Sequence, residues 1–502
     1  MHLSSFVEMV ESGFDDRVLL GDHSSRLTGR EFGFLVRLGA TQVHNKYASV
    51  IYVGENHATL PVALFAAAWA GVPFVPVNYR LEDRQLHSLI ERYPSSLVLT
   101  DPLTATRLEG FAPLIFEEWL SELSTIDLEE VGPTEPAEDD DDVAVVLFTS
   151  GTTSEPKSAL LRHRHLMAYL LGSVEFGSAD ESEAVLVSVP PYHVAGIANM
   201  LSNLFSGRRL VYLASFSAHE WLSRVAEEKV THAMVVPTML ARIVERLGGE
   251  VMTSSTLRTL SYGGAKVSER VIRQALEAFP NTGFVNAYGL TETASTIAVL
   301  GPDDHREAVS SDDPKIQRRL SSVGQVLPMI EIEIRDEHEQ VVAAGESGLI
   351  YLRGEQVSGE YAGVSLLDGD GWFCTRDQGS IDVDGYLYIE GRVDDTIIRG
   401  GENIAPAEIE SVLLAQPGVA EACVVGLPDD EWGQRIVAVV VCNEGDVIDP
   451  KALQDSVRGV LRGSKTPEEI IIRDSLPHTE TGKMLRRVVL SELVARQGGT
   501  AS

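Results

Sequence analysis

The sequence is poor in cysteine, with three among 502 residues: Cys374, Cys423 and Cys442. No two of them form a Cys-x-x-Cys pair, and they cannot build a disulfide framework. This excludes the disulfide-rich class of secreted proteins. We interpret the three as small buried hydrophobic residues of a protein in a reducing compartment.

Long apolar runs are also absent. The longest, Pro61–Val77, contains three prolines and falls short of the roughly 20 residues that cross a bilayer. We predict a buried helix that runs into a strand. Residues 1–14 contain acidic residues and no basic stretch before an apolar core, so no signal peptide is expected. These features predict a cytoplasmic protein without a membrane span.

Positive charge is scarce: 41 lysine and arginine residues stand against 74 aspartate and glutamate residues, a formal net charge of −33. This argues against nucleic acid or an anionic membrane as the main partner. A smaller polyanion can still bind where basic side chains, N–H groups and Mg²⁺ are concentrated. The P-loop pattern, serine-hydrolase elbows, zinc-binding helix motifs and dinucleotide glycine fingerprints have no match.

The length predicts more than one domain. Strand-like runs occur at Ser49–Val53, Phe74–Val77, Leu97–Thr100, Val143–Thr149, Ala184–Val189, Leu210–Leu213, Ala233–Val236, Leu257–Tyr262 and Phe284–Ala287. Helical patterns between them include Ala58–Ala70, Leu81–Arg92, His219–Glu228, Thr238–Leu247 and Ser268–Phe279. This alternation predicts an α/β domain whose parallel sheets are covered by helices on both faces. Ligands of such folds bind beyond the carboxyl ends of strands.

From about Val323 the pattern changes to short β segments. These include Ile330–Ile334, Leu349–Leu352 and a hairpin over Ser380–Glu390 that turns at Asp384-Gly385. They predict a β-rich subdomain of the large domain. The acidic run Glu138–Asp142 earlier in the chain is interpreted as a solvated connector in preference to a metal site.

A smaller α+β unit follows Arg392. Its predicted elements are Pro406–Ala415 (helix), Val419–Val425 and Ile436–Val441 (strands), Pro450–Leu461 (helix), Glu469–Arg473 (strand) and Met484–Arg496 (helix). We predict a boundary near Val393–Asp394, which divides the chain into an N-terminal domain, 1–393, and a C-terminal domain, 394–502.

The chain is organised around Val143–Phe148, a continuous apolar run typical of a buried strand. A polar stretch follows: Thr149, Ser150, Gly151, Thr152, Thr153, Ser154, Glu155, Pro156 and Lys157. Its hydroxyls and N–H groups can surround a polyphosphate, to which Lys157 adds a positive charge. Taken alone, the stretch is equally typical of a plain surface loop.

Four further constellations occur at characteristic places. They are Asn286-Ala287-Tyr288-Gly289-Leu290-Thr291-Glu292-Thr293, Gly371-Trp372-Phe373-Cys374-Thr375-Arg376-Asp377, Gly391-Arg392-Val393-Asp394-Asp395 with Gly400-Gly401-Glu402-Asn403, and Pro477-His478-Thr479-Glu480-Thr481-Gly482-Lys483. Tyr288 can stack on a base, Glu292 can hold Mg²⁺ between phosphates, and Asp377 can accept two ribose hydroxyls. Each motif alone is weak evidence for nucleotide binding. The five motifs together, in this order and at this spacing, are strong evidence because chance agreement of all five is improbable.

These motifs resemble the adenylate-forming superfamily of acyl- and aryl-CoA synthetases, nonribosomal adenylation domains and luciferases, and the chain looks most like a stand-alone acyl- or aryl-CoA ligase. The likeness covers nearly the whole sequence. It implies that ATP activates a carboxylic acid as an acyl-adenylate, with release of pyrophosphate, and that the acyl group passes to a thiol. Coenzyme A is the expected acceptor and Mg²⁺ the expected metal. A separate carrier protein or another nucleophile as acceptor stays open, as does a homodimer.

The resemblance assigns roles residue by residue. Thr149, Ser150, Gly151, Thr152, Thr153 and Lys157 would wrap the β- and γ-phosphates. Adenine would lie on Tyr288, beside Asn286, Ala287, Gly289 and Gly263-Gly264-Ala265. Thr291 would contact the α-phosphate, Glu292 would bind Mg²⁺, and Asp377 with Arg392 would hold the ribose. Lys483 would bridge the attacking carboxylate and the α-phosphate, stabilising charge in the transition state.

The resemblance also implies a hinge at Asp394. Rotation of the small domain about it would remove Lys483 and bring in Gly400-Gly401, which would line the thiol channel. Three residues depart from the usual pattern: Ser154 and Ser158 replace glycines of the phosphate loop, and Arg376 replaces the glycine before the ribose aspartate. Because serine does not adopt positive φ freely, we expect the loop to be stiffer or differently routed. Arg376 is expected to contact the nucleotide or to point into solvent.

The acyl pocket is predicted around His193, Val194, Gly196 and Ile197. By resemblance His193 gates this pocket, although a hydrogen-bonded core histidine is the alternative. The apolar neighbours, and the lack of an aspartate where amino-acid-activating relatives place one, favour a hydrophobic or aromatic acid. A nucleotide-binding scaffold without catalysis is the alternative of a different class, and the presence of all five charged residues argues against it: Lys157, Glu292, Asp377, Arg392 and Lys483.

Overall fold

The computed structural model of the chain describes residues 1–23, 25–126, 134–149, 156–252, 255–399, 402–429, 432–443, 445–461, 463–479 and 482–499. The chain begins with α1 (Leu3–Gly13), β1 (Val18–Gly21), β2 (Arg26–Thr28), α2 (Gly29–Val43), β3 (Ser49–Val53), α3 (Thr59–Trp69), β4 (Phe74–Val77), α4 (Asp83–Ile90), β5 (Ser96–Thr100), α5 (Pro102–Ala105), β6 (Leu114–Ile115), α6 (Phe116–Leu123), β7 (Val143–Thr149) and β8 (Lys157–Arg162). It continues with α7 (His163–Ser173), β9 (Ala184–Val187), α8 (Val194–Ser206), β10 (Arg209–Tyr212), α9 (Ala218–Glu227), β11 (His232–Val235), α10 (Pro237–Leu247), β12 (Thr259–Gly263), α11 (Glu269–Ala278), β13 (Gly283–Leu290), β14 (Ser295–Leu300), α12 (Pro302–Ser310), α13 (Pro314–Arg318) and β15 (Gln325–Val326). It ends with β16 (Glu331–Arg335), β17 (Gly348–Arg353), β18 (Glu360–Tyr361), β19 (Val364–Ser365), β20 (Phe373–Ile381), β21 (Leu387–Arg392), β22 (Ile397–Arg399), β23 (Glu402–Ile404), α14 (Pro406–Leu414), β24 (Val419–Asp429), β25 (Gly433–Cys442), α15 (Pro450–Val460), β26 (Glu469–Arg473) and α16 (Arg486–Gly499).

Two large sheets organise the first part of the chain. One has nine strands in the order β15-β14-β13-β12-β11-β9-β10-β1-β2, and the other has eight in the order β19-β18-β8-β7-β4-β3-β5-β6. The central neighbours, β13 to β1 in the first and β7 to β6 in the second, run parallel. A four-stranded antiparallel sheet, β16-β17-β20-β21, forms the β-rich subdomain. The predicted fold class is confirmed.

Four strands have the predicted bounds: Ser49–Val53, Phe74–Val77, Val143–Thr149 and Glu469–Arg473. The first two are buried throughout and the third at its centre, whereas only Ile470 of Glu469–Arg473 is buried. The apolar stretch Pro61–Val77 is, as predicted, a helix followed by a strand, and every residue of α3 and β4 is buried. Among the described residues, no helix has both the length and the apolar character needed to span a membrane.

Three predictions need correction. Strand β13 continues to Leu290, so Tyr288 lies within a strand and does not follow one. Strand β8 begins at Lys157 and returns antiparallel to β7, although the sequence was interpreted as a loop up to this lysine. Cys423 is buried, and burial raises the pKa of its thiol to about 12, but Cys374 and Cys442 are only partly buried.

The small C-terminal sheet, β24-β25-β26, is covered by helices on both faces. Because successive side chains of a strand point to opposite faces, neighbouring residues of β24 enter different apolar clusters. Val424 packs with Leu413 of α14 and Val457 of α15. Cys423 packs with Val489 of α16. This alternation explains why the strand is apolar along most of its length.

A β-bulge in β20 carries one of the departures from the family pattern. Leu349 pairs with Gln378 and Tyr351 pairs with Cys374, so Ile350 alone faces the three residues 375–377. Arg376, at the centre, is exposed and has φ +62°, in the left-handed region. A bulge redirects the chain locally, and a glycine at this position would adopt this conformation without strain.

We expect Arg376→Gly to stabilise the protein. A left-handed conformation costs an L-residue about 1–2 kcal/mol, of which the greater freedom of glycine in the unfolded chain offsets about 0.5–1 kcal/mol. Urea unfolding should therefore show a net gain of up to about 1.5 kcal/mol relative to Arg376→Ala, which removes the guanidinium but keeps the strained Cβ. An Arg376→Gly variant less stable than Arg376→Ala would show that φ at this position carries no cost.

Candidate active site

The residues predicted to hold the ribose meet where the nine-stranded sheet joins the β-rich subdomain. Asp377 is directed from the bulge of β20 into this junction, where its side chain is 8% exposed. Its Oδ2 accepts a hydrogen bond from the Tyr288 hydroxyl at 2.5 Å, and its Oδ1 accepts one from Arg392 Nε at 2.8 Å. The strands β13, β20 and β21 are thereby joined through one carboxylate.

The electrostatics follow from this burial. Removal from water, with the adjacent Asp377, raises the pKa of Tyr288 well above its ordinary value, so the phenol stays protonated and donates. Burial alone lowers the pKa of Arg392, but attraction to Asp377 and Glu292 outweighs it, and the pKa is raised. The guanidinium is therefore a fixed positive charge in the site.

The wall predicted to receive adenine consists of adjacent ends of β12 and β13. Asn286, Ala287, Tyr288 and Gly289 lie within β13, and Gly263 ends β12 beside Ala287. A Cβ on Gly289 would lie 1.8 Å from the carbonyl oxygen of Ser295, so only glycine fits where β13 and β14 approach each other. Gly264 and Ala265 follow β12 directly.

Thr291 and Glu292 lie in a 3₁₀ turn, Thr291–Thr293, between β13 and β14. The backbone N–H groups of Ser358 and Gly359 donate to the Glu292 carbonyl oxygen at 2.8 and 3.1 Å. The Glu292 carboxylate accepts a hydrogen bond from the Tyr361 hydroxyl. The turn is thus held at both its backbone and its side chain by the segment 358–361.

Tyr361 was missed by the sequence interpretation. Its hydroxyl also accepts a hydrogen bond from Thr149 Oγ1 at 3.3 Å, and its ring centroid lies 5.7 Å from Lys157 Nζ. It therefore contacts both described residues that flank the predicted phosphate loop. Its strand, β18, has only two residues, and no local pattern distinguishes such a strand from a turn.

The centre of the predicted loop and the thiol channel cannot be placed. Ser150, Gly151, Thr152, Thr153 and Ser154, and likewise Gly400 and Gly401, lie outside the described residues. The backbone of Asp394 lies in the 3₁₀ turn Val393–Asp395, which connects β21 to β22. Ser158 lies in β8 opposite Phe148, in a regular strand pairing that does not require positive φ. Ser158 therefore needs no positive φ, and the expectation of a stiffer or differently routed loop stays a prediction.

Lys483 is brought to the site by a turn of the C-terminal domain that is closed between Thr479 and Lys483. We call it the lysine turn. The N–H of Thr479 donates to the Lys483 carbonyl oxygen at 2.8 Å, and a bridge joins His478 to Met484. Gly482 has φ +76°, and a Cβ there would lie 2.2 Å from Cγ2 of Thr238, in α10 of the large domain. The lysine turn is therefore seated directly on the large domain.

Most of the charges that act on Lys483 belong to residues predicted for the site. Desolvation, followed by repulsion from Arg392, lowers the pKa of Lys483, while Asp377, Asp395 and Glu292 act in the opposite direction. The structure thus brings together one lysine, one arginine and three carboxylates from distant parts of the sequence. Their arrangement suits an anionic ligand that supplies further negative charge beside Lys483.

A second contact joins the two parts of the chain. Lys266, which follows Gly263-Gly264-Ala265, donates from Nζ to Ser411 Oγ in α14 at 2.9 Å. Burial lowers the pKa of Lys266, and the neighbouring Glu410 opposes this. The sequence interpretation did not single out Lys266.

His193 precedes α8 and is partly buried, and its Nε2 is enclosed without a hydrogen-bond partner among the described residues. Desolvation lowers the pKa of His193 to about 4, so the imidazole is neutral at pH 7. The gating role of His193 stays a prediction. Val194 is partly buried and Gly196 is buried, while Ile197 belongs to the largest apolar cluster.

A small cavity of about 70 Å³ lies between the ends of several parallel strands and α10. Its lining includes Asn56, Arg80, Ser188, Phe216, Thr238 and Arg242. Thr238 also approaches Gly482, so the cavity adjoins the lysine turn. Oδ1 of Asn56, which can only accept, and Oγ of Ser188 are buried without a hydrogen-bond partner among the described residues. The cavity therefore suits a polar ligand that donates hydrogen bonds, and Arg80 and Arg242 add positive charge for an anionic group.

The oxygen ligands around Glu292 suit Mg²⁺, which commonly binds one or two carboxylates together with substrate phosphates. Among the described residues, no group of three or more His, Cys, Asp or Glu side chains could hold a metal by itself. The fit is therefore to a metal shared with a phosphate ligand. Thr149 and Thr291 supply further oxygens nearby.

Comparisons with known proteins agree with this geometry. Residues 13–362 match the family described as AMP-binding enzyme, and residues 408–483 match the AMP-binding enzyme C-terminal domain. The chain is 31% identical to an indoleacetate–CoA ligase of Aromatoleum aromaticum, over 89% of this chain and 88% of the relative. It is 31% identical to a fatty acid–[acyl-carrier-protein] ligase of Streptomyces coeruleorubidus, over 87% and 85%. An o-succinylbenzoate CoA synthetase of Bacillus subtilis, solved with its acyl-adenylate intermediate, superposes with a TM-score of 0.82 at 26% identity, over 96% of this chain and 97% of the other.

We expect Lys483 to titrate below the ordinary lysine pKa of 10.5 in protein free of nucleotide and metal, because burial and Arg392 disfavour its charged form. The folded state then binds fewer protons than the unfolded state, so this group adds stability as pH rises through that window. Labelling with an amine-reactive anhydride across pH, read by mass spectrometry, gives the midpoint. Asp377→Asn should lower it further, since Asp377 favours the charged lysine. A wild-type midpoint at or above 10.5 would contradict the arrangement.

Proposed function

The chain belongs to the AMP-binding enzyme family, and from this premise we propose that it is an ATP-dependent acid–CoA ligase. It joins a hydrophobic or aromatic carboxylic acid to AMP with release of pyrophosphate, and then transfers the acyl group to coenzyme A. One observation carries the proposal: the C-terminal domain places Lys483 beside Arg392, Asp377 and Glu292 of the large domain. Activation is necessary because a carboxylate is a poor electrophile until AMP provides a leaving group.

The residues divide the first half-reaction among them. Asp377 and Arg392 hold the ribose, and the β13 wall around Tyr288 receives adenine. Glu292 holds Mg²⁺, which neutralises phosphate charge when bound. Lys483 lies where negative charge increases as the carboxylate attacks the α-phosphate, and a preorganised charge there lowers the barrier.

The second half-reaction requires a different domain orientation. The lysine turn rests on Thr238, at the wall of the small cavity described above. In the proposed cycle, rotation about Asp394 withdraws this turn and brings Gly400-Gly401 to the site. The polar cavity is then a candidate route for coenzyme A, whose phosphates match Arg80 and Arg242.

The apolar surroundings of His193 support an acid without a charged α-substituent. An α-ammonium group would be buried there without a partner, which is costly. The relative that acts on indoleacetate, an aromatic acid, supports the same class. The second candidate is transfer to a separate acyl carrier protein, favoured by the relative named as a fatty acid–carrier protein ligase. Residence in the cytoplasm is part of the proposal and agrees with the three free cysteines; a homodimer stays a prediction.

Acid-dependent pyrophosphate release across fatty, aryl and amino acids tests the activity and its substrate class. Fatty or aryl acids should give release, and amino acids should not. Supplying coenzyme A or a phosphopantetheinylated carrier protein then identifies the acceptor by the thioester formed. An amino acid as best substrate would refute the predicted pocket, and no release with any acid would refute the ligase.

Lys483→Ala should separate the half-reactions. Loss of one preorganised charge should slow adenylation by about 10²–10³. Thioester formation from supplied acyl-adenylate should persist, because Lys483 has left the site at that stage. Single-turnover measurements of each step check this expectation. Equal losses in both steps would show that Lys483 is not specific to adenylation.

Lys266→Ala should destabilise only the domain orientation seen in the structure, in which Lys483 lies in the site and adenylation is proposed to occur. Its hydrogen bond to Ser411 crosses between the two parts of the chain, and a net contribution of about 1 kcal/mol corresponds to roughly a fivefold shift. Adenylation should slow by about that factor, and transfer from supplied acyl-adenylate should not. Ser411→Ala should match it, and the double variant should add little. Ser456→Ala is the control, since its hydroxyl bonds only to Ala452 of its own helix at 2.9 Å. An equal loss in both half-reactions would contradict the assignment.

A further inference from the structure

Tyr361 occupies a position that links three residues of the proposed site. We propose that Tyr361 is a positioning residue that orients the Glu292 carboxylate toward the metal–ATP complex. The inference rests on the proposed function, in which Glu292 binds Mg²⁺. It goes further by assigning a specific task to a residue that does not itself touch the reacting atoms.

The first support is that the tyrosine is also held by contacts that do not involve Glu292. Tyr361 pairs with Ala159 of β8, and the N–H of Ala362 donates to the Ser158 carbonyl oxygen at 3.0 Å. Strand β8 is in turn paired with β7 along its length. The phenol is therefore attached to the eight-stranded sheet, while Glu292 follows β13 of the nine-stranded sheet. The hydrogen bond between them joins the two sheets at the site.

The second support is that the two oxygens of the Glu292 carboxylate can bind different partners. The Tyr361 hydroxyl donates to Oε1 of Glu292. A carboxylate has lone pairs on two oxygens, so one oxygen can be fixed by the phenol while acceptor capacity remains for a cation. Because hydrogen bonds to charged groups are stronger than neutral ones, this contact restricts the rotation of the Glu292 side chain before any ligand arrives.

The third support is the contact with both flanks of the phosphate loop. Thr149 donates to the phenol oxygen at 3.3 Å, and Lys157 Nζ lies 5.7 Å from the ring centroid. A lysine over an aromatic ring within about 6 Å gains a modest attraction. One side chain thus fixes the position of the proposed metal-binding carboxylate relative to Thr149 and Lys157, which stand before and after the loop. A phenylalanine would keep the ring contact with Lys157 and lose both hydrogen bonds.

Tyr361→Phe is the test, because it deletes one oxygen. Binding of a non-hydrolysable ATP analogue is measured by calorimetry in Mg²⁺ and again in EDTA. We expect the affinity in Mg²⁺ to fall by about tenfold, the loss of a hydrogen bond to a charged group, with the affinity in EDTA unchanged. The Mg²⁺ concentration for half-maximal pyrophosphate release should rise by a similar factor, while kcat at saturating Mg²⁺ is largely recovered. Equal weakening in Mg²⁺ and EDTA, or no change in either, would overturn the inference.

Two comparisons make the result specific. Tyr386→Phe is the matched control. The Tyr386 hydroxyl also donates to a carboxylate, that of Asp304, at a distance of 2.6 Å, but this pair lies outside the site. The substitution should therefore leave the Mg²⁺ dependence unchanged. Glu292→Gln tests the proposed function itself. If Glu292→Gln alters the Mg²⁺ dependence and Tyr361→Phe does not, the positioning role is refuted and the ligand role stands. If Glu292→Gln has no effect, both are refuted. If both variants act, the double variant should lose no more than Glu292→Gln alone.

Discussion

The buried carboxylate of Asp377 is the interaction on which the site depends. A carboxylate removed from water is costly unless it is paired and hydrogen-bonded, and here the Tyr288 phenol and the Arg392 guanidinium satisfy it. Those two partners come from β13 and β21, so the same contact joins the β-rich subdomain to the nine-stranded sheet. Arg392 is also the last residue of β21 before the turn that leads to the C-terminal domain. The ion pair therefore fixes the point at which the chain leaves the large domain for the small one.

The position of Lys483 has an energetic cost that a ligand can offset. Desolvation of the lysine and repulsion from Arg392 both disfavour its charge, and three carboxylates act in the opposite direction. A bound carboxylate and phosphate would add negative charge at the same point and favour the protonated lysine. A ligand that interacts better with one orientation shifts the population toward it. Under the proposed function, ATP and the acid therefore stabilise the orientation that their own reaction needs.

Sequence patterns predicted what depends on local regularity. The strand Val143–Thr149 was predicted with its bounds because a continuous apolar run has one stable solution, a strand covered on both faces. Strand β8 was missed because it begins with Lys157 and Ser158, which are typical of a loop; it exists because β7 offers a pairing edge. Tyr361 was missed for a related reason, since its role arises only when separate sheets meet. Arg376 was recognised as an unusual residue, but its left-handed conformation follows from the bulge and cannot be inferred from residue type.

The close approach of Gly482 to Thr238 links the lysine turn to the cavity. The same threonine supports the turn and borders the cavity that we assign to the acceptor. Withdrawal of the turn, which the proposed second half-reaction requires, would therefore remove a contact from one wall of that cavity. Under the proposed function, the acceptor would meet a differently supported wall after the acyl-adenylate has formed than before.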